Sequence, residues 1–429
     1  MNKIAKNAMW IIICRIVQAI FALIINMLTA RFLGPSNFGL ITYATSLVAF
    51  VVPVMNLGFS NILVQEIITN PKREGETIGT SILLSLISAI CCIAGVTIFA
   101  FVANSSKPVT IFVCFLYSLN LLFQALELMQ YWYQAKYISK YTSMVSLCAY
   151  IIVSIYKIYL LATEKSVYWF AISNAFDYCL IAVSIIILYY KLGGQKLRFS
   201  LEIGKKLFEK SKYYILSGMM VTIFVETDKI MINIMIGENE TGFYGAAVAC
   251  AGLTSFVFSA IIDSFRPSIF EGQKISIKKF MYRLKMLYSI VIYLSLAQSV
   301  AMTFFSSLIV FILYGAAYAP AAGVLQIVVW YTTFSYIGAV RNIWILANSM
   351  QSYLWYINMF GAISNIILNF VLIPSIGIYG AAIASLITQF FTNVISGYII
   401  KPLRPNNAII IKSLNPKYIC AAYTKLFGK

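Results

Sequence analysis

Several ionisable side chains interrupt apolar runs long enough to cross a bilayer, where each costs about 3 kcal/mol near a helix centre. The cations are Arg15, Lys157, Lys229 and Arg341; the acids are Glu127, Asp177, Glu226, Asp228 and Asp263. An unpaired charge in lipid is too expensive to be incidental, so these residues are the first candidates for a site. An arginine facing a cavity suits phosphate or carboxylate, because its planar fork donates paired hydrogen bonds and stays charged at any relevant pH. Arg15, Lys157, Lys229 and Arg341 are therefore read as a cationic cavity for an anionic cargo. Asp177, with Glu226, Asp228 and Glu127 as alternatives, is read as the group that couples transport to H⁺ or Na⁺. Blander readings stand beside these. Glu226 and Lys229, at i,i+3, can neutralise each other, and Asp263, Arg266 and Lys157 lie near span ends, from which long side chains snorkel. Arg15, Asp177 and Arg341 have no same-helix partner within one turn and require a cavity or an ion pair across helices.

Polar residues recur at helical spacing in the same runs: Arg15, Gln18, Asn26 and Thr29; Asn120, Gln124, Glu127 and Gln134; Thr222, Glu226, Lys229 and Asn233; Asn358, Asn365 and Asn369. Each series keeps to one helix face, so stripes in both halves imply a shared hydrophilic interior. The alternative is interhelical hydrogen bonding, worth only ~0.6 kcal/mol per contact. Histidine is absent, which removes the usual proton relay and metal ligand. The cysteines lie mostly in apolar runs, without zinc or disulfide spacing. No metal or other cofactor is expected.

Composition supplies the elements that must hold these residues. With 61% hydrophobic and 11% charged residues, against about 25% charged in soluble domains, the chain reads as an all-α polytopic membrane protein. At ~20 apolar residues per crossing, twelve spans are expected, approximately 8–32, 38–63, 78–103, 109–133, 138–161, 166–190, 213–236, 242–265, 284–313, 320–346, 353–373 and 376–400. They form an N-terminal six-helix bundle (1–190), a basic linker (191–212), a C-terminal six-helix bundle (213–400) and an interfacial tail (401–429). The first run holds Arg15, Gln18 and Asn26 and is too long for the ~7–15-residue core of a signal peptide, so it is a retained span. Of the basic residues outside the spans, 25 fall in one set of alternate loops and three in the other. That asymmetry puts both termini and the linker in the cytoplasm and explains the net charge of +18 without nucleic acid.

An internal repeat supports the division. Leu33-Gly34-Pro35-Ser36-Asn37-Phe38-Gly39 and Ile236-Gly237-Glu238-Asn239-Glu240-Thr241-Gly242 share an apolar-Gly-x4-Gly pattern at the first turn of each half. Gly34, Gly39, Gly237 and Gly242 are read as structural, since glycine allows the positive φ or close packing of a tight helical hairpin. Six spans per half make the repeat parallel and place the cavity between the bundles. Pro53, alone in mid-span, is the candidate hinge.

On three groups of residues the chain resembles the polysaccharide-transport, O-antigen flippase family (Wzx-like) of the multidrug, oligosaccharidyl-lipid and polysaccharide exporter superfamily. They are Ala30-Arg31-Phe32-Leu33-Gly34-Pro35 with Phe38-Gly39; Thr227-Asp228-Lys229-Ile230-Met231-Ile232 with Gly242-Phe243-Tyr244; and Asn365, Asn369, Ile373-Pro374 with Gly377-Ile378-Tyr379-Gly380-Ala381-Ala382. The resemblance implies a MATE-like pair of bundles around a central cavity, alternating between inward-facing and outward-facing states. It implies a transporter, not an enzyme, in the bacterial cytoplasmic membrane. The cargo would be an undecaprenyl-pyrophosphate-linked oligosaccharide destined for O-antigen, capsule or exopolysaccharide, with polysaccharide polymerase, glycosyltransferases and membrane lipids as partners. A drug or cation exporter of the same fold, which would favour an acidic cavity, and a membrane-embedded polysaccharide polymerase or ligase are the alternatives.

Overall fold

The computed structural model describes residues 3–419, with side chains left out for 3–9, 11 and 12. The last part of the expected tail, 420–429, lies outside the described residues. Everything regular in them is helical. Ten helices are long and apolar enough to cross a membrane. One of these is folded in two at Gly34. α9, which carries Glu226, Asp228 and Lys229, is 35 residues long but lies outside that set, so the twelve crossings expected are approximately matched.

The first compact unit covers Met1–Ile234. It contains α1 (Lys3–Met55), α2 (Leu63–Thr69), α3 (Glu74–Ala103), α4 (Pro108–Ser118), α5 (Asn120–Leu126), α6 (Gln130–Ala135), α7 (Lys140–Ala162), α8 (Val167–Lys191) and α9 (Leu201–Met235). α1 is two helices joined at Gly34 (φ 72°, ψ 172°), where Pro35 then begins the second with a φ already suited to a first helical turn. Gly237, the repeat position, has φ 118° and ψ −176° and likewise precedes a helix. Gly39 and Gly242 are buried inside helices instead. Pro53 is not at mid-helix as expected. α1 ends at Met55, because Leu57 and Gly58 turn left-handed (φ 48° and 66°), so Pro53 sits in its last turn. There Pro53 packs against Gly218 of α9, where a Cβ would come within 2.9 Å of it.

Residues 191–212 are bound along this unit. The extended stretch after α8 crosses α3 at Gly75 and Gly79, where a Cβ would lie 2.5 Å from the Lys196 carbonyl and 2.6 Å from that of Arg198. Only glycine admits such an approach. Gln195 accepts from the Gly75 amide (3.2 Å) and donates to the Pro71 carbonyl (2.9 Å). The start of α9 is then held by Glu66 on α2, which takes Lys206 (3.2 Å) and Lys210, while Arg73 reaches Glu202 (3.3 Å). Burial pushes the Glu66 carboxyl up, but hydrogen bonds from Lys210 and Lys206 outweigh it and hold the group below the usual carboxylate range. The boundary between compact units therefore falls at the C-terminal end of α9, between Ile234 and Met235.

The second unit, Met235–Lys429, contains α10 (Glu238–Ala251), α11 (Ser255–Ile275), α12 (Ile277–Phe304), α13 (Ser306–Tyr314), α14 (Pro320–Ala347), α15 (Ser352–Ile376), α16 (Ile378–Phe390), α17 (Ser396–Ile399) and α18 (Arg404–Ser413). A π-helical turn, Phe391–Ile395, separates α16 from α17. α18, expected as a surface segment, docks on the bundle. Leu403, Ile409 and Ile410 enter the core beside Leu284, Leu287 and Val291 of α12, and Tyr288 donates to Asn406 (2.9 Å).

Candidate functional site

Within the first unit four elements surround a polar cavity of about 510 Å³. α1 contributes Cys14, Arg15 and Gln18, one turn of a single face. The fourth crossing contributes Glu127, Gln130 and Gln134 at steps of three and four. This crossing is segmented into α4, α5, a 3₁₀ turn at Glu127–Met129 and α6, so Glu127 begins a tightened turn rather than continuing a straight helix. Ser139, Thr142, Ser143 and Ser146 come from the first two turns of α7 and the residue before them; Asp177, Tyr178 and Ile181 come from the middle of α8. Asp177 lies fourteen residues from the end of α8 at Lys191, or ~20 Å at 1.5 Å per residue. The cavity thus extends from the loop at 136–140 to the depth of the bundle's middle.

Its chemistry is mixed. Arg15 faces two carboxylates, Glu127 and Asp177, and an array of amides and hydroxyls. The side chains of Gln18, Gln130 and Gln134 make no hydrogen bond within the described residues, and Asp177 Oδ1 is buried without a hydrogen-bond partner there. That buried oxygen is costly unless water or a ligand satisfies it. Among the described residues no group of three or more His, Cys, Asp or Glu could hold a metal ion.

The expected cationic cavity is therefore regrouped. Of its four cations Arg15 lines this space, and Glu127 and Asp177 line it too. Lys157, on α7, is half-buried outside the lining, within electrostatic reach of Asp177. Lys229 pairs with Glu226 on its own helix at 2.6 Å, and Ser46 donates to the same Glu226 oxygen at 2.8 Å. The i,i+3 pairing considered from sequence is the one present. Asp228 is buried on the same helix, and Asn233 farther along has both amide atoms buried and unpartnered. In the second unit Arg341 is 3% exposed; it donates to the Thr392 carbonyl in the π-helical turn and to Asn342 Oδ1 (3.3 Å). The same carbonyl also accepts from the Ser396 hydroxyl (2.5 Å).

Sequence reading missed Gln130, Tyr178 and the hydroxyls of α7. Gln130 stood between Glu127 and Gln134 at a step of three, and 139, 142, 143 and 146 follow one helix face. Both signals were present but lay among residues common in membrane helices.

Residues 4–273 match the sequence profile of a family described as polysaccharide biosynthesis protein. Over 283 residues the chain is 27% identical to an uncharacterized membrane protein, MJ1068, of Methanocaldococcus jannaschii, covering 61% of this chain. The match spans about half of that relative's length, 54%. Among solved structures the chain is similar to the lipid II flippase MurJ in an inward closed conformation, with a TM-score of 0.77 and 14% identity over 98% of this chain and 93% of that one. It is also similar to an inward-facing multidrug resistance MATE family transporter of the MOP superfamily, with a TM-score of 0.67 and 13% identity over 92% and 96%. At these identities the likeness is one of fold.

Proposed function

The chain belongs to the polysaccharide biosynthesis protein family, and from that premise we propose that it flips a lipid-linked oligosaccharide across the cytoplasmic membrane by alternating access. Both termini and residues 191–212 are on the cytoplasmic side, following the loop asymmetry of 25 basic residues against three. The cargo is a glycan on undecaprenyl pyrophosphate, made by glycosyltransferases and passed to a polymerase for O-antigen, capsule or exopolysaccharide.

The observation that carries this reading is the lining of the first unit's cavity. Gln18, Gln130 and Gln134 offer unengaged amides, each with two donors and a carbonyl acceptor. Ser139, Ser143 and Tyr178 add hydroxyls that both give and accept. A polyhydroxylated ring satisfies such a surface; a bare hydrocarbon leaves it unsatisfied at a cost per group. Arg15 is the residue that holds an acidic sugar or the linking phosphate, through its fork. Asp177, with Glu127 beside it in the lining, is the ion-coupling group, because transport against a gradient needs a site whose occupancy differs between the two states.

Two acids to one base in the lining also favour a second reading, export of an organic cation. Proteoliposomes separate the two. With a fluorescent undecaprenyl-diphosphate oligosaccharide, wild type should deliver label to the opposite leaflet, and Arg15→Ala should slow delivery by roughly tenfold, the order of one charge-assisted hydrogen bond. Efflux of a lipophilic cation with no movement of the glycolipid would replace the flippase reading with the exporter one.

A further inference from the structure

We propose that the first two turns of α12, in the second unit, are a docking site for the headgroup of an anionic phospholipid. Two adjoining clefts open there, of about 320 and 330 Å³, and they share Lys278 and Tyr282. Lys279 and Arg283 line the first; Ile277, Met281 and Lys285 line the second. Lys278, Met281, Tyr282 and Lys285 fall on one helix face, and Lys279 and Arg283 on the face adjoining it.

No acid lines either cleft. Glu271, the carboxylate that Arg283 reaches, is engaged by it at 3.0 Å, and that arginine also donates to the Ser268 carbonyl. Lys278 and Lys279 are exposed and have no ion-pair partner among the described residues. Aromatic rings gather further charge beside them. Lys285 and Lys417 lie 5.5 and 5.3 Å from the Tyr418 ring, which meets Tyr282 edge to face at 6.0 Å. Like charges crowded without a counter-charge attract an anion, and compact ammonium groups suit a phosphate as point charges.

The occupant is a membrane phospholipid because the site is amphipathic and lies between two membrane-crossing helices. α11 and α12 are both within the set long and apolar enough to span, and their junction leaves Ile275 and Ile277 exposed next to the lysines. Apolar side chains at the acyl boundary and lysines at the phosphate level are what an interfacial lipid meets. The proposal does not depend on the flippase reading.

Native mass spectrometry of the full chain, with phosphatidylglycerol or phosphatidylcholine added, tests it. Lys278→Gln with Lys279→Gln removes two charges that no described residue needs, so folding is spared; Lys285→Gln is added in a third step. Phosphatidylglycerol retention should fall by roughly tenfold or more in the double variant, and further in the triple. Phosphatidylcholine retention should not change. A control pair, Lys191→Gln with Lys205→Gln, removes equal charge from exposed positions of the first unit and should retain phosphatidylglycerol. Equal loss in the control, or no loss in the double variant, would overturn the proposal. Displacement of phosphatidylglycerol by an equimolar short polyprenyl diphosphate would also overturn it, and would assign the site to cargo instead.

Discussion

The two compact units put their buried polar residues to different uses. In the second, several deep polar groups bond one another, while Thr254, Ser289 and Gln298 each keep a buried oxygen without a hydrogen-bond partner among the described residues. Asn369 donates to Asn365 (3.0 Å) and Asn365 to Ser385 (3.3 Å); Ser299 bonds Thr333 (2.9 Å); Gln326 donates to Ser306 (2.9 Å) and Trp330 to Thr303 (3.1 Å). Even Arg341 is held by a carbonyl and an amide oxygen. In the first unit Gln18, Gln130, Gln134 and an oxygen of Asp177 surround open space without such neighbours. Polar stripes that look alike in sequence therefore bond to neighbours in the second unit and line open space in the first, the surface proposed to bind cargo.

The comparison breaks most visibly at Arg341. If it is adhesive, Arg341→Ala removes its bonds to Thr392 and Asn342 and leaves a void, and should lower stability by about 3 kcal/mol. Thermal unfolding in detergent would read this as a large fall in midpoint. An alanine variant as stable as wild type, yet inactive, would return Arg341 to the cargo-holding role that its sequence position suggested.

Next in size is coupling. Asp177→Asn keeps the shape of a side chain in the cavity and removes its charge, so gradient-stimulated translocation should drop to the unstimulated rate while the protein stays folded. Stimulation equal to wild type would move the coupling role to Glu127 or to α9.

A smaller effect is expected where residues 191–212 meet the first unit. The Glu66 carboxyl sits below its ordinary range, so its ion pairs with Lys206 and Lys210 contribute fully above that range. The contribution is lost as pH falls through the lowered value. Hydrogen-exchange protection across 201–212, taken relative to intrinsic exchange at each pH, should fall in acid, and Glu66→Gln should show the same loss of protection at neutral pH. Slow exchange in that variant would mean that the close approach at Gly75 and Gly79, not the ion pairs, holds the segment. The smallest change belongs to Asn365→Ala, which removes one bond to Ser385 across helices and one from Asn369 within α15, a loss of about 1 kcal/mol at the ~0.6 kcal/mol typical of each such bond.

Much of the fold was legible. Run length gave the crossings, and the glycine repeat marked two turns whose glycines, Gly34 and Gly237, share a positive φ followed by extended ψ. The Glu226–Lys229 pair was legible because both partners are one turn apart on one helix. What stayed hidden was set by distant partners. Thr392, which occupies Arg341, is 51 residues away, in a π-helical turn that the run of apolar residues does not announce. Ile409 and Ile410 could have faced lipid, and only the packing of α18 on α12 brings them inside. Pro53 looked central because the apolar run continues past the left-handed residues Leu57 and Gly58, which end its helix.

The central claim is that the first unit's cavity receives the glycan part of the cargo. It is tested most directly by placing a single cysteine at Gln130 in a variant whose native cysteines, including Cys14 in the same lining, are serine. Maleimide labelling of that cysteine is then timed with a lipid-linked oligosaccharide present, and again with the bare polyprenyl diphosphate. Protection by the oligosaccharide-bearing lipid alone, with labelling slowed roughly tenfold as expected of an occupied enclosed pocket, is the predicted result. Equal protection by both lipids, or by neither, would contradict the claim.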